Sequence, residues 1–261
     1  GYASELKHRK EYQELESGKI CECCGKKLNP ISAIKKGINE LEQEINIAKN
    51  DTDALKALGK ENVIGVTLPC HSKEEDAKDA KLVSDYYGFE LINFDITSTF
   101  DSFKEELKSL GDFNEEQTKN SDINLKPRLR MSTLYYLAAL YSSLRGKTYL
   151  VAGTSNKCEL FVGYFTKGGD SVHDISTIAD FTVDEVIQIG AYLNVPEKVL
   201  YKKPNDGLSN QTDEDKLGVK YKDIASYIED PNSVDKEVGE KIKRLNKNNR
   251  HKFNIPTYRR K

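Results

Sequence analysis

Apolar positions recur along this chain with two different periods, and the change of period divides it. Between residues 31 and 55, Ile31, Ile34, Ile38, Leu41, Ile45, Ala48, Thr52 and Leu55 fall three and four apart with Glu, Lys and Asn between them, the spacing of one helical face. Ile at one seam position and Leu or Ala at the other suits a two-stranded coiled coil, and equally a helix lying on an apolar surface. Gly37 and the cluster Asn50-Asp51-Thr52-Asp53 could break such a helix in two.

After Gly59, short β-branched runs alternate with helical spacing. Residues 62–68 read as a strand, 73–87 as an amphipathic helix and 89–96 as a second strand, which together make a βαβ unit. Residues 100–110 read as a helix and the polar stretch 111–122 as an exposed loop. The spacing then predicts a helix over 127–144 that buries Met131, Leu134, Tyr135, Ala138 and Tyr141, and a strand over 148–152. Thr182 with Glu185 three residues on has capping-box spacing and predicts a helix over 183–193, with Pro196 beyond its end. Residues 202–218 are polar and turn-rich, as mobile binding loops are. Within them Asp213-Glu214-Asp215 could hold a cation or orient an amine, although such a run more often faces water. Residues 219–228 and 234–245 read as helices, and a basic tail begins at 248. The alternation predicts an α/β fold, a parallel sheet with helices on both faces.

Charged residues at 31%, hydrophobic residues at 37% and a formal net charge of -2 exclude a chain disordered by composition and a general polyanion binder. Nucleic acid is therefore not an expected partner. No apolar run approaches the ~20 residues that span a bilayer, and the first residues lack the apolar core of a secretion signal, so no membrane partner and a cytoplasmic location are expected. Five cysteines, an odd number, argue against a disulfide framework. Cys21-Glu22-Cys23-Cys24-Gly25-Lys26 has the form of a zinc knuckle, but Cys21 and Cys24 are half of a four-ligand site. Cys70 and His71 could complete it across space; free thiols are the preferred reading. Nucleic-acid binding through the knuckle would require that zinc.

The stretch with most chemistry follows the strand expected at 148–152. Gly153-Thr154-Ser155-Asn156-Lys157-Cys158-Glu159, then Gly163-Tyr164-Phe165-Thr166-Lys167-Gly168-Gly169-Asp170, gathers small residues, hydroxyls, an amide and carboxylates where the chain leaves a sheet. Crevices beyond the carboxyl ends of parallel strands collect nucleotides. Thr154 and Asn156 could bond a nucleotide. Glu159 could reach a magnesium ion, or it could simply be an acid favoured in a first helical turn. Arg128 and Arg130 flank Leu129 on one helix, so their side chains diverge and one of them faces a given pocket.

From Gly59 onward the chain closely resembles ammonia-dependent NAD synthetases. The resemblance is carried by Ala57-Leu58-Gly59-Lys60-Glu61-Asn62-Val63, by Arg128-Leu129-Arg130-Met131, by the loop from Gly153 to Asp170, by Pro204-Asn205-Asp206-Gly207-Leu208 and by Thr212-Asp213-Glu214-Asp215-Lys216-Leu217-Gly218. It implies a Rossmann-like ATP-pyrophosphatase fold, a homodimer, and a ligase that adenylates deamido-NAD with ATP and lets ammonia displace AMP. Carried over by position, Thr154 and Asn205 would touch ATP, and Glu159 would bind Mg2+. Arg128, Lys167, Asp174, His251 and Lys252 would hold deamido-NAD, the last pair reaching it across the dimer interface. One element of the pattern is replaced. The family's SGGxDS phosphate loop would fall near Glu42-Gln43-Glu44-Ile45-Asn46-Ile47, which holds no glycine, and nothing else in residues 1–58 supplies it. The chain is thus expected to comprise an atypical N-terminal segment, 1–58, and a synthetase-like α/β domain, 59–261. It would be either a working ligase or a catalytically impaired relative that keeps deamido-NAD or a partner.

Overall fold

The computed structural model describes residues 58–203 and 212–253. The repeat at 31–55, the knuckle cysteines, Asn205 and the final tail lie outside them. Strand β1 (Ile64–Thr67) is buried along most of its length, and it pairs in parallel with β2 (Glu90–Asn93), Ile64 opposite Glu90 and Thr67 opposite Asn93. A Cβ at Gly65 would come within 2.6 Å of the Phe89 ring, so glycine is what lets that ring close over the strand. Helix α1 (Glu74–Tyr87) makes the crossover. Glu74, Glu75 and Asp76 sit in its first turn, where the helix dipole favours acids. The βαβ unit read from the sequence is present with its helix one residue shorter.

Helix α2 (Thr97–Leu107) ends in a short 3-10 turn, and α3 (Glu115–Arg145) follows. Here the expected loop at 111–122 is wrong for most of its length, because α3 begins at Glu115 and runs for 31 residues. Asn114 accepts from the Gln117 amide at 3.0 Å, and Gln117 accepts from the Asn114 amide at 2.9 Å. This reciprocal cap satisfies two otherwise open donors and lets a polar sequence start a helix. Pro127, expected near the helix start, lies inside it and is buried. The predicted face is buried or half-buried, with Leu134 and Ala138 in the core and Tyr135 and Tyr141 packed against it.

The expected strand at 148–152 also shifts: β3 is Ala152–Gly153, paired in parallel with β4 (Ile175–Ser176). Of the preceding residues Tyr149 and Val151 are buried, but side chains serve their backbone. The Tyr149 amide donates to the Ser142 hydroxyl at 2.8 Å, and the Val151 amide to the Asp174 carboxylate at 2.8 Å. Among the described residues the strands form two parallel pairs with no ladder between β1 and β3. Shared packing joins them. On one face Ile64, Val66 and Leu68 meet Tyr149 and Val151 beneath α2 and α3; on the other Val63 meets Ala152, with Tyr87 of α1 beside them.

A second core gathers around α4 (Lys157–Val162). Cys158 and Val162 are fully buried against residues of α8 (Tyr221–Glu229) and α9 (Lys236–Asn249). Between β4 and this core run α5 (Val183–Tyr192), α6 (Glu197–Leu200) and α7 (Asp213–Leu217). The Thr182 to Glu185 capping box of α5 is formed as expected. Helix α7 corrects the loop read over 202–218, and a Thr212 to Asp215 capping box starts it.

Candidate functional site

Where β3 ends, the chain turns into α4, and the turn forms one wall of a cavity of about 430 Å³. Gly153 approaches His173 so closely that a Cβ would lie 2.4 Å from its ring; any side chain here would displace the imidazole from this wall. Asn156 caps α4 by accepting from the amides of Cys158 and Glu159 at 3.0 and 3.1 Å. Glu159 answers by accepting from the Asn156 amide at 2.9 Å. The cap and the cavity thus share one carboxylate, since Glu159 also lines the space together with Thr154 and Ser155.

The opposite walls come from α3, through Arg130 and Met131, from the 164–173 loop, from α7 through Asp213, and from Lys252. Asp213 is only 5% exposed, against the expectation that its acidic run faces water. It accepts from the hydroxyls of Tyr164 at 3.1 Å and Tyr221 at 3.4 Å. The Tyr221 hydroxyl also lies 3.4 Å from Glu159 Oε1, so one phenol bridges two carboxylates. Burial pushes the Glu159 carboxyl up to about 7, with the negative charges of Asp213 and Asp170 adding to the rise. Burial, reinforced by the charges of Glu159 and Asp213, holds the Tyr221 hydroxyl above the usual tyrosine range, so it remains a donor. Lys252 donates to the carbonyls of Gly163 at 2.7 Å and Phe165 at 2.8 Å, and burial lowers its pKa.

The predicted site residues fall into separate groups. Thr154, Glu159 and Lys252 line the cavity. Arg128, Lys167 and His251 lie outside its walls, on the exposed surface, joined in a chain: Arg128 donates to the Lys167 carbonyl at 3.2 Å, and Lys167 to the His251 carbonyl at 2.8 Å. Asp174, at the entry to β4, accepts from the Tyr135 hydroxyl at 3.1 Å and the Val151 amide. Burial and that carboxylate raise the Tyr135 hydroxyl to about 12. Sequence reasoning missed Asp213 as a cavity residue and, by resemblance, chose Arg128 as the substrate arginine; the arginine that lines this cavity is Arg130. The Thr212 to Asp215 capping spacing was the available signal that Asp213 opens a helix.

The donor set suits a hard cation, which takes oxygen ligands. Among the described residues no group of three or more His, Cys, Asp or Glu could hold a metal ion, so magnesium here would need phosphate and water oxygens besides Glu159. A wider groove of about 1620 Å³ runs between α2 and the first turns of α3. Its charged groups are paired with one another, Lys104 with Asp122 at 2.7 Å and His71 with Asp101 at 2.8 Å, and the predicted site chemistry collects in the smaller cavity. Among the described residues no helix is long and apolar enough to cross a membrane.

A parallel strand, β3, whose carboxyl end opens on a cavity of hydroxyls, carboxylates and cations is the arrangement of an α/β nucleotide-binding protein. The family model described as NAD synthase matches residues 52–256. The chain belongs to the NAD synthase family. It is 37% identical over 203 residues to the NH(3)-dependent NAD(+) synthetase of Carboxydothermus hydrogenoformans, covering 77% of this chain and 80% of that one. It is 35% identical over 218 residues to the enzyme of the same name from Methanocaldococcus jannaschii, with the same coverage. Among solved structures, NMN synthetase from Francisella tularensis superposes with a TM-score of 0.75 at 27% identity, over 89% of this chain and 99% of that one. The NH3-dependent NAD synthetase of Campylobacter jejuni, solved with a nitrate ion, gives 0.64 at 26% identity, over 88% and 96%.

Proposed function

We propose that the chain is an ammonia-dependent amide ligase of NAD biosynthesis, converting deamido-NAD, ATP and ammonia to NAD, AMP and pyrophosphate through an acyl-adenylate. The observation that carries this reading is the family match over residues 52–256, and the meeting of Thr154 and Glu159 in one cavity supports it. Thr154, with Asn205 from the 204–211 segment, holds ATP. Glu159 holds Mg2+, which neutralises charge on the phosphates during adenylation. Lys252 reaches the dinucleotide from the cavity; Arg128, Lys167, His251 and Asp174 hold it from outside. A site split between cavity and surface is completed by a second copy of the chain. The exposed apolar side chains Tyr136, Leu140 and Leu144, four apart along α3, are a surface that such a homodimer would cover. The synthetase-like domain is 59–261, and residues 1–58 form a separate segment.

The likeness to the Francisella tularensis NMN synthetase favours a second reading of the acceptor, in which nicotinate mononucleotide replaces deamido-NAD in the same reaction. One assay separates the readings. The chain is supplied with ATP, magnesium and ammonia and with either acceptor, and pyrophosphate and the amide product are measured. Faster turnover of deamido-NAD supports the first reading and faster turnover of the mononucleotide the second. Binding of deamido-NAD without pyrophosphate release would assign the chain as an impaired relative, consistent with the absence of glycine from residues 42–47.

A further inference from the structure

The Glu159 carboxylate is held at both of its oxygens by groups of the protein. Its Oε2 accepts from the Asn156 amide at 2.9 Å, and its Oε1 lies 3.4 Å from the Tyr221 hydroxyl. A carboxylate offers about four lone-pair sites, so about two remain for the cavity, whose wall Glu159 forms in part. Asn156 is the cap of the same helix, whereas Tyr221 opens α8, so the second donor arrives from an element distant in sequence.

Tyr221 is itself firmly placed. It is buried in the core around Cys158, Ile224 and Ile242. Its amide donates to Glu214 Oε1 at 2.8 Å, and its carbonyl accepts from the thiol of Cys158, the residue before Glu159, at 3.8 Å. The hydroxyl also lies 3.4 Å from Oδ2 of Asp213, a buried residue in the first turn of α7. One phenol thus stands between two carboxylates that would otherwise repel each other. Tyr221 does not line the cavity, although Glu159 and Asp213 do, so its effect on a ligand there passes through a carboxylate that does.

We infer that Tyr221 is a positioning residue for the magnesium-binding carboxylate: its hydroxyl, anchored beside Asp213 of α7, aims Glu159 at the metal. The inference rests on the ligase reading, which puts magnesium and ATP in this cavity. Groups that orient a metal ligand govern affinity nearly as the ligand does, and losing one costs about 10- to 100-fold. Binding that involves the metal therefore depends on the Tyr221 hydroxyl, whereas binding of the nucleoside does not.

The test titrates the full chain with the Mn2+ complex of ATP, read by water-proton relaxation, and with adenosine, read by calorimetry. The parent protein, Glu159→Gln, Tyr221→Phe and Asp213→Asn are compared. Phenylalanine keeps the buried ring and removes one hydroxyl; thermal unfolding checks that the variant folds. Tyr221→Phe should bind the Mn2+ complex about 10-fold more weakly and adenosine as the parent does. Asp213→Asn removes a cavity charge but keeps an amide that can bond the phenol, so it should lose less. That variant also serves if Tyr221→Phe does not fold: a loss of about 10-fold or more in it would assign metal affinity to cavity charge and overturn the role of the phenol. Parent-like binding of the Mn2+ complex by folded Tyr221→Phe, while Glu159→Gln loses it, overturns the assignment alone. A parallel loss of adenosine does the same, because it marks a merely structural role. An unaltered Glu159→Gln, or a parent that binds no Mn2+ complex, would instead remove the magnesium reading of the cavity, and the role of Tyr221 with it.

Discussion

Glu159 closes the cap of α4 and faces the cavity with the same carboxyl group, and this double placement has a measurable pH signature. The group ordinarily titrates at 4.5 and here at about 7. Between those values the folded protein holds a proton that the unfolded chain has shed. The stabilisation is full below 4.5 and is lost as the pH rises through 7. Glu159→Gln keeps an N3 side chain that can accept from the Asn156 amide and removes the buried charge. It should therefore raise the stability of the metal-free protein at pH 8 by on the order of 2 kcal/mol, with little change at pH 4, and it should weaken magnesium binding. Thermal unfolding at the two pH values checks the first part; an unchanged slope of stability against pH would refute it. Asp213 teaches the complementary lesson. Its neighbours in sequence, Thr212, Glu214 and Asp215, describe a solvated acidic run. Its burial comes from Tyr164 and Tyr221, 49 and 8 residues away, and local composition cannot report contacts of that kind.

Among the elements, those defined by their own periodicity were legible, and those decided by a cap or a distant hydrogen bond were not. Strand β1, helix α1, strand β2 and the capped start of α5 follow from apolar spacing and a Thr with Glu three residues on. Helix α3 was half legible. Its buried face was read correctly from Met131 onward, but its first turns are polar and were assigned to a loop, although Asn114 and Gln117 stand at capping spacing. Strand β3 was misplaced because Ser142 and Asp174 take up backbone groups that a ladder would otherwise use. The weight of the α3 cap is open to test. Asn114→Ala should cost about 1 kcal/mol and should speed amide hydrogen exchange over 115–122 while leaving residues after Pro127 protected. Equal protection of the first turns in both proteins would mean that the cap is dispensable.

In the whole molecule, the β1 and β2 half and the helical half meet through a small ionic staple. Asp79 of α1 is 6% exposed and pairs with Lys202 at 2.7 Å; its other oxygen lies 2.9 Å from Lys198, a close ion pair without hydrogen-bond geometry. Burial alone would raise the Asp79 carboxyl, but the hydrogen bond from Lys202 and the close positive charges of both lysines outweigh it and hold the group below its usual value. Its stabilisation is accordingly present above the ordinary aspartate range and is lost as the pH falls through the depressed value. Asp79→Asn should destabilise the protein by roughly 1–3 kcal/mol, discounted because both lysines reach solvent, and denaturant unfolding at neutral pH measures it. Pro127 acts at the same scale. Helix α3 is a rod of roughly 46 Å, and at Pro127 one rung of its ladder is missing. Gly169 presses against that spot so closely that a Cβ would sit 2.9 Å from the proline side chain. The rod therefore has a joint clamped from the side. Its outer arm, from Glu115, lines the groove and is tied to α2 by Lys104 and Asp122, while the clamped joint sits beside Arg130 and Met131 of the cavity wall.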